Sequence, residues 1–328
     1  MSKPNWSQPH ITPAIEQPPG GGGDRRVAHP LVVAIILNWN NARDTLRCLQ
    51  SVHASDYAPL RVLVVDNASH DDSLAVIRAH APDIEVMANA ENLGYAGGNN
   101  VGIQRAIEHG ADYVLLLNDD TVIDPAMVSA LVTAARQCPD GGIFGPKVYS
   151  LEEPGVLLSA GAALGRWSEL TSRALGCVDD GRWDHLTEVD YLWGCALLVS
   201  RQAIAAAGML DPAFFAYHED IDWCYRIRAA GYKVLFVPQA KAWHPDTRRW
   251  REESALVTYY MSRNHLQLIS KHHLGTGEML GSLATFARRL VSWSVRPKWR
   301  HKRHQRDALA RALFDFTRGR FGRADHIH

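Results

Sequence analysis

The chain has 328 residues, is 46% apolar and is formally neutral, with 35 Lys and Arg against 35 Asp and Glu. That length allows one large α/β domain with an appendage or two modest domains, and the apolar share can fill a sizeable core. Five scattered cysteines with no Cys-x-x-Cys pair exclude a disulfide framework or zinc knuckle and point to a reducing cytosol, and no apolar run is long enough for a membrane-spanning helix.

Residues 1–30 read as a flexible leader without a signal-peptide pattern: they are polar and contain Gln17-Pro18-Pro19 followed by four glycines. Apolar runs then alternate with amphipathic stretches. Strands are expected over 31–37, 61–65, 84–87 and 113–117. Helices are expected over 42–54, 71–80, 99–109 and 125–137, the last with Asp124 as N-cap and Pro125 in its first position. Such alternation implies a parallel sheet with helices on both faces, and ligands bind outside the carboxyl ends of its strands. Three polar clusters fall at those ends: Asn38-Trp39-Asn40, Asp66-Asn67 and Asn118-Asp119-Asp120. Residues 141–190 are Gly-rich and read as irregular. Beyond them come a strand over 191–200, a helix over 201–207 stopped by Gly208, a helix over 219–230 stopped by Gly231, a strand over 233–237 and a long helix over 254–273. Residues 278–322 read as helical, broken by Pro297.

Two adjacent carboxylates at the end of a buried strand, Asp119 and Asp120, need neutralising, and a divalent cation of the Mg²⁺ or Mn²⁺ kind suits oxygen ligands and phosphates. A solvated turn with one acid capping the next helix fits the same residues. In Phe214-Phe215-Ala216-Tyr217-His218-Glu219-Asp220-Ile221-Asp222, three acids open a helix, where the dipole favours negative charge. The flanking aromatics would raise a carboxylate's pKa and fit it to take a proton from an alcohol. For Asp222 the dipole accounts for the charge. His244, one of 16 histidines, follows a strand end and is placed to complete a metal site. The Gly/Asn-rich segment 92–102 reads as a loop opening a helix, able to receive an anion or simply to form a tight turn.

Taken together and in order, these stretches resemble family 2 glycosyltransferases of the GT-A fold, especially their rhamnosyltransferase-like branch. The resemblance runs over residues 32–273. It implies a Rossmann-like α/β catalytic domain over 31–250, with a nucleotide-binding half (31–140), an acceptor-binding half (141–250) and a C-terminal helical, basic region (251–328). Asn38, Asn40, Asp66 and Asn67 would form the nucleoside pocket, with Gly97, Asn99, Asn118 and Asp119 also on the donor side. Asn118-Asp119-Asp120 resembles the family's DxD element, with Asp120 as metal ligand and Asn118 in place of the first acid. His244 would be a second metal ligand and Asp220 the catalytic base, while Trp193, Gly194 and Glu219 would face the acceptor. The resemblance implies inverting transfer, with Mg²⁺ or Mn²⁺, of a sugar from a dTDP or UDP donor, rhamnose favoured. The acceptor would be a hydroxyl of a saccharide or lipid-linked glycan.

Charge is unevenly spread. Residues 285–328 carry 12 Lys and Arg against three Asp, a net of +9, which leaves 23 basic and 32 acidic residues elsewhere, a net of −9. With Trp293 and Trp299 among the basic residues, the tail fits an anionic membrane surface, which would put the protein in the cytoplasm and peripherally on the inner membrane face; a solvated helical tail fits equally. Two rival functions stay open. The acidic body argues against a nucleic-acid-binding protein that uses the tail. The absence of a Gly-rich basic loop after the first strand argues against a nucleotidyltransferase.

Overall fold

A computed structural model describes residues 29–165, 170–247 and 253–324. The leader lies outside these residues up to position 28. Strands β1 (Val32–Asn38), β2 (Leu60–Asp66), β3 (Glu85–Ala88) and β4 (Tyr113–Asn118) form a parallel sheet in the order β3-β2-β1-β4. Successive β1 residues face opposite sides. Val33 and Ile35 pack with α3 (Gly94–Glu108), while Val32, Ala34 and Ile36 share a core with α1 (Ala42–His53) and α4 (Met127–Gln137). Both faces are therefore covered, as a run of buried Val and Ile demands. A shorter helix, α2 (Ser73–His80), adds Ile77 to the second core.

The same sheet continues through residues expected to be irregular. Antiparallel to β4 runs β12 (Ala196–Ser200), which also pairs with β6 (Gly141–Ser150); β6 in turn pairs with β7 (Val156–Ser159), and β7 with β10 (Cys177–Val178). The short strands β8 (Ala162–Leu164) and β9 (Leu170–Ser172) form a separate hairpin. Two-to-four-residue strands are too short to show an alternation, so composition hid them. Helices α5 (Arg201–Ala207) and α6 (Glu219–Ala229) end at glycines with positive φ, as expected.

Strand β13 (Lys233–His244) is longer than its sequence suggests. It runs parallel to β6 with a register shift between Val237 and Lys241, pairs with β11 (Thr187–Glu188) near its start, and ends beside β5 (Val122–Ile123). Pro238 falls in the shifted segment, where a missing N–H costs no ladder bond. A strand expected to stop at residue 237 thus carries His244 as its last member.

Three helices complete the chain: α7 (Ala255–Lys271), α8 (Thr276–Val295) and α9 (Arg303–Thr317). Pro297 opens a 3₁₀ segment, Pro297–Lys302, between the last two. Ser254 caps α7 by accepting from the Val257 N–H. Among the described residues, no helix is long and apolar enough to cross a membrane.

Candidate active site

The crevice lies at the carboxyl ends of β1, β2 and β4. Asn38 ends β1 and Asp66 ends β2, in register with each other. Asn38 Nδ2 donates to Asp66 Oδ1 at 2.7 Å and to Ser69 Oγ at 3.1 Å; Ser69 Oγ donates to Asp66 Oδ1 at 2.6 Å, and Thr45 Oγ1 to Asn38 Oδ1 at 2.9 Å. Asn40, at φ 53°, is fixed nearby by accepting from the His70 N–H at 2.7 Å. Ser69 and Thr45 carried no assigned role in the sequence reading. Ser69 had a signal, since a serine three residues after an Asp forms the local turn seen here.

The Asn67 side chain is engaged by the segment that follows β3. Its Oδ1 accepts from Asn89 Nδ2 and the Leu93 N–H, and its Nδ2 donates to Asn92 Oδ1 and the Gly94 carbonyl, all at 3.0 Å. All four hydrogen-bonding positions of the amide are used, so Asn67 anchors the 89–94 segment.

The Gly/Asn-rich segment is also corrected. Helix α3 begins at Gly94, five residues earlier than expected, so most of the segment is helix and not a loop. A Cβ on Gly98 would lie 2.6 Å from Leu37 Cδ1, and one on Gly102 2.5 Å from Ile35 Cγ2, so these glycines let the helix lie close on β1. Asn99 is buried and donates to the Tyr95 carbonyl. Gly97 lines a different cavity, of about 690 Å³, with Met87, Asn100 and Met209. The Asn99 Oδ1 is buried without a hydrogen-bond partner.

The two acids after β4 diverge. Asp119 bonds the Asn41 side chain at the start of α1, and burial, followed by the charge of Asp120, pushes its carboxyl up to about 7. Asp120 faces β13: its Oδ1 lies 3.2 Å from His244 Nε2. Burial opposes its ionisation, yet the hydrogen bond and charge of His244 hold its pKa below the usual value. His244 Nδ1 sits 2.7 Å from the Pro245 carbonyl, which accepts its proton and leaves the Nε2 lone pair turned toward Asp120 and toward the Asn118 amide at 3.3 Å.

With His244 neutral in this tautomer two acceptors face each other there, and Asp120 Oδ1 and Asn118 Oδ1 are buried without a hydrogen-bond donor; only a protonated Nε2–H would give Asp120 the bond and charge that lower its pKa. A cation between them would resolve this arrangement. Ligands around an ion with ~2.1 Å bonds stand roughly 3 Å apart, which matches the observed spacing. Among the described residues, no group of three or more His, Cys, Asp or Glu is placed to hold a metal, so water and a phosphate-bearing ligand would supply the other positions.

Asp220 approaches from the other side. It stands in the first turn of α6; its Oδ2 accepts from the Gly194 N–H and its Oδ1 from the Ile221 N–H, both at 2.8 Å. The Cys195 carbonyl, one residue on from Gly194, accepts from the Asn118 N–H and from Thr121 Oγ1, both at 3.1 Å. Tyr95 adds a further tie, donating to the Gly194 carbonyl at 2.6 Å. Burial pushes the Tyr95 phenol well up, and Glu219, Asp220, Cys195 and Asp120 push it the same way. The charges of Asp120 and Asp220 thus both bear on the Tyr95 hydroxyl. Glu219 is buried at the start of α6, and Trp193 is half-buried against the core.

The loop that presents Asp220 is strained and firmly held. Phe215, Tyr217 and His218 all have φ between +63° and +73°. From α7, Asn264 Nδ2 lies 2.8–2.9 Å from the Phe214, Ala216 and Tyr217 carbonyls, which share its two N–H donors. Arg263, almost fully buried, donates to the Phe214 and Gly322 carbonyls and lies over the Tyr259 and Tyr260 rings. Asp222, expected only to serve the helix dipole, is buried and paired with Arg226, Lys271 and His272. These partners hold its carboxyl at about 2 despite burial.

A family model described as "Glycosyltransferase like family 2" matches residues 29–258. The N-acetylglucosaminyl-diphospho-decaprenol L-rhamnosyltransferase of Mycobacterium tuberculosis is 26% identical over 280 residues, covering 78% of this chain and 91% of the relative. A low-salt glycan biosynthesis hexosyltransferase of Haloferax volcanii is 26% identical over 234 residues, covering 70% of this chain and 72% of the relative. Among solved structures, a mannosyltransferase from Pyrobaculum calidifontis in complex with GDP-Man and Mn²⁺ aligns with a TM-score of 0.55 at 15% identity, over 89% of this chain and 88% of that one. GalNAc-T7 with UDP, GalNAc and Mn²⁺ aligns with a TM-score of 0.60 at 14% identity, over 74% of this chain and 48% of that one.

Proposed function

This chain belongs to the glycosyltransferase-like family 2, with a GT-A sheet and C-terminal helices, and from that premise we propose that it is an inverting, metal-dependent sugar transferase acting on a saccharide or lipid-linked acceptor. That it is a glycosyltransferase follows from its family; donor, acceptor, metal and stereochemistry are our reading. The donor would be a nucleoside diphosphate sugar, dTDP- or UDP-linked, with rhamnose favoured by the Mycobacterium relative's name. Residues 31–140 would bind the nucleotide, 141–250 the acceptor, and 251–324 would brace the loop before Asp220.

In this reading Asp66 and Asn40 receive the nucleoside, and the buried Asn38 holds the Asp66 carboxylate in place. Asp120 and His244 would hold Mg²⁺ or Mn²⁺, which when bound supplies positive charge to the departing diphosphate. The Asp220 carboxylate takes the proton of the acceptor hydroxyl. The hydroxyl oxygen bonds to the anomeric carbon as the carbon–oxygen bond to the diphosphate breaks on the opposite face. Two N–H donors hold the Asp220 oxygens, so the base is oriented before substrate arrives. General-base assistance of this kind contributes ~10²–10⁴ in rate.

One observation supports the reading above all others. The Gly194–Cys195 pair hydrogen-bonds to Asp220 through its first N–H and to the segment carrying Asp120 through its second carbonyl. The test is a panel of nucleotide sugars, with Mg²⁺ or Mn²⁺ and with chelator, scored by thermal stabilisation and donor turnover. One donor should stabilise and turn over only with metal. Full turnover in chelator would contradict the metal assignment.

A further inference from the structure

Helix α8 has two apolar sides. One packs inward: Phe286, Leu290 and Trp293 meet Leu266 of α7 and Leu309 of α9. Trp293, expected to face a membrane, is therefore part of the helical core. On the other side Leu280 is 67%, Val291 61% and Val295 69% exposed, with Leu283 between them. The spacing 280, 283, 287, 291, 295 forms one continuous stripe. The chain from Met279 to Arg306 holds eight Lys and Arg and no Asp or Glu, and Arg288, Arg296, Lys298 and Arg300 are exposed.

We propose that the outward stripe of α8 and the basic segment after it dock the protein on an anionic lipid bilayer, with the aliphatic side chains in the acyl boundary and the cations among the headgroups. Exposed aliphatics beside a patch of one sign match that surface on both counts. A second copy of this chain fits less well, because a symmetric contact would press the same positive patches together. Nucleic acid matches the charge but not the Leu and Val stripe, since single strands stack on aromatic rings. The inner side of α8 leads toward the site: Ser282 bonds His265 of α7 at 2.9 Å, and the His265 ring meets that of His218, two residues before Asp220. Docking would thus hold the base loop's supporting helices at the bilayer, where a lipid-linked acceptor resides. That last link rests on the proposed function; the docking itself does not.

The test is co-sedimentation of the full chain with phosphatidylglycerol vesicles and with phosphatidylcholine vesicles, without donor sugar or metal, so that its failure is separate from any failure of the catalytic reading. Wild type should pellet with phosphatidylglycerol alone, and less as salt rises. The exposed-site variant Leu280→Ser/Val291→Ser/Val295→Ser should lose about tenfold or more in partitioning. Arg296→Ser/Lys298→Ser/Arg300→Ser should lose the preference for phosphatidylglycerol. The proposal is overturned if wild type ignores both vesicles, if the aliphatic variant binds like wild type, or if that variant instead turns a dimer into a monomer in sedimentation velocity.

Discussion

The Gly194 N–H and the Asp220 carboxylate meet at 2.8 Å, although 26 residues separate them. A Cβ at Gly194 would lie 3.2 Å from the Tyr95 hydroxyl and 3.3 Å from Asp220 Oδ2, so a larger residue there would push these side chains back by a few tenths of an ångström. This contact sets one oxygen of the proposed base, and the Ile221 N–H sets the other.

Asp220→Asn keeps the shape and removes the basic oxygen. Transfer should fall by about 10²–10⁴ while donor affinity stays near wild type. Steady-state rates beside equilibrium titration of the nucleotide check this. Loss of donor affinity with transfer retained would remove Asp220 from its role.

Asn264→Ala tests the clamp on the strained loop. It takes the side-chain donor from the Ala216 and Tyr217 carbonyls, while that of Phe214 keeps Arg263 and the Ala216 N–H, at a cost of about 2 kcal/mol in unfolding free energy. Because the loop carries Asp220, kcat should fall by about 10²-fold with KM for the donor little changed. Denaturant melts and donor kinetics read the two effects separately. A variant that is destabilised but fully active would show that the clamp serves only the fold.

Acid should weaken the fold well above the carboxylate range. Burial lowers His218 from 6.5 to about 3 and His265 to about 4; Arg289 adds to the effect on His265, and His265 to that on His218. The unfolded chain therefore binds more protons below pH 6.5, and stability is lost as pH falls toward these values. Between pH 7 and 5 each histidine should cost about 2 kcal/mol. Asp222 acts only lower: its pKa of about 2 gives stability that is lost below about pH 4. Thermal melts from pH 7 to 5 should show a clear fall, reduced in His218→Asn, which tolerates a left-handed backbone without titrating. A flat profile would contradict the assignment.

What could be seen in the sequence follows from the physics of each part. Strands β1, β2 and β4 are buried on both faces and read as unbroken apolar runs, so their ends, and Asn38, Asp66 and Asp120 on them, could be located. His244 was read as a metal-site candidate from its place after a strand end and from the resemblance, but the strand that carries it was expected to stop at residue 237, whereas β13 runs past Pro238 to His244 beside Asp120. The side-chain partners of Asn67 in the 89–94 segment were not legible, because a polar residue near a strand end looks the same in sequence whether it meets a ligand or a neighbouring segment. Arg263 and Asn264 carried a signal that went unused, a polar pair at buried positions of α7 between Tyr259 and Leu266. Nothing in sequence shows that Tyr95 would reach Gly194, 99 residues away.

The account stands most directly on a calorimetric titration of dTDP- or UDP-sugar in the presence of Mn²⁺, run on wild type, Asp220→Asn, Asp120→Asn and His244→Ala. It predicts matching donor affinity for the first two and a metal-dependent loss of about tenfold or more for the last two. Undiminished binding by Asp120→Asn and His244→Ala, with or without Mn²⁺, would contradict it.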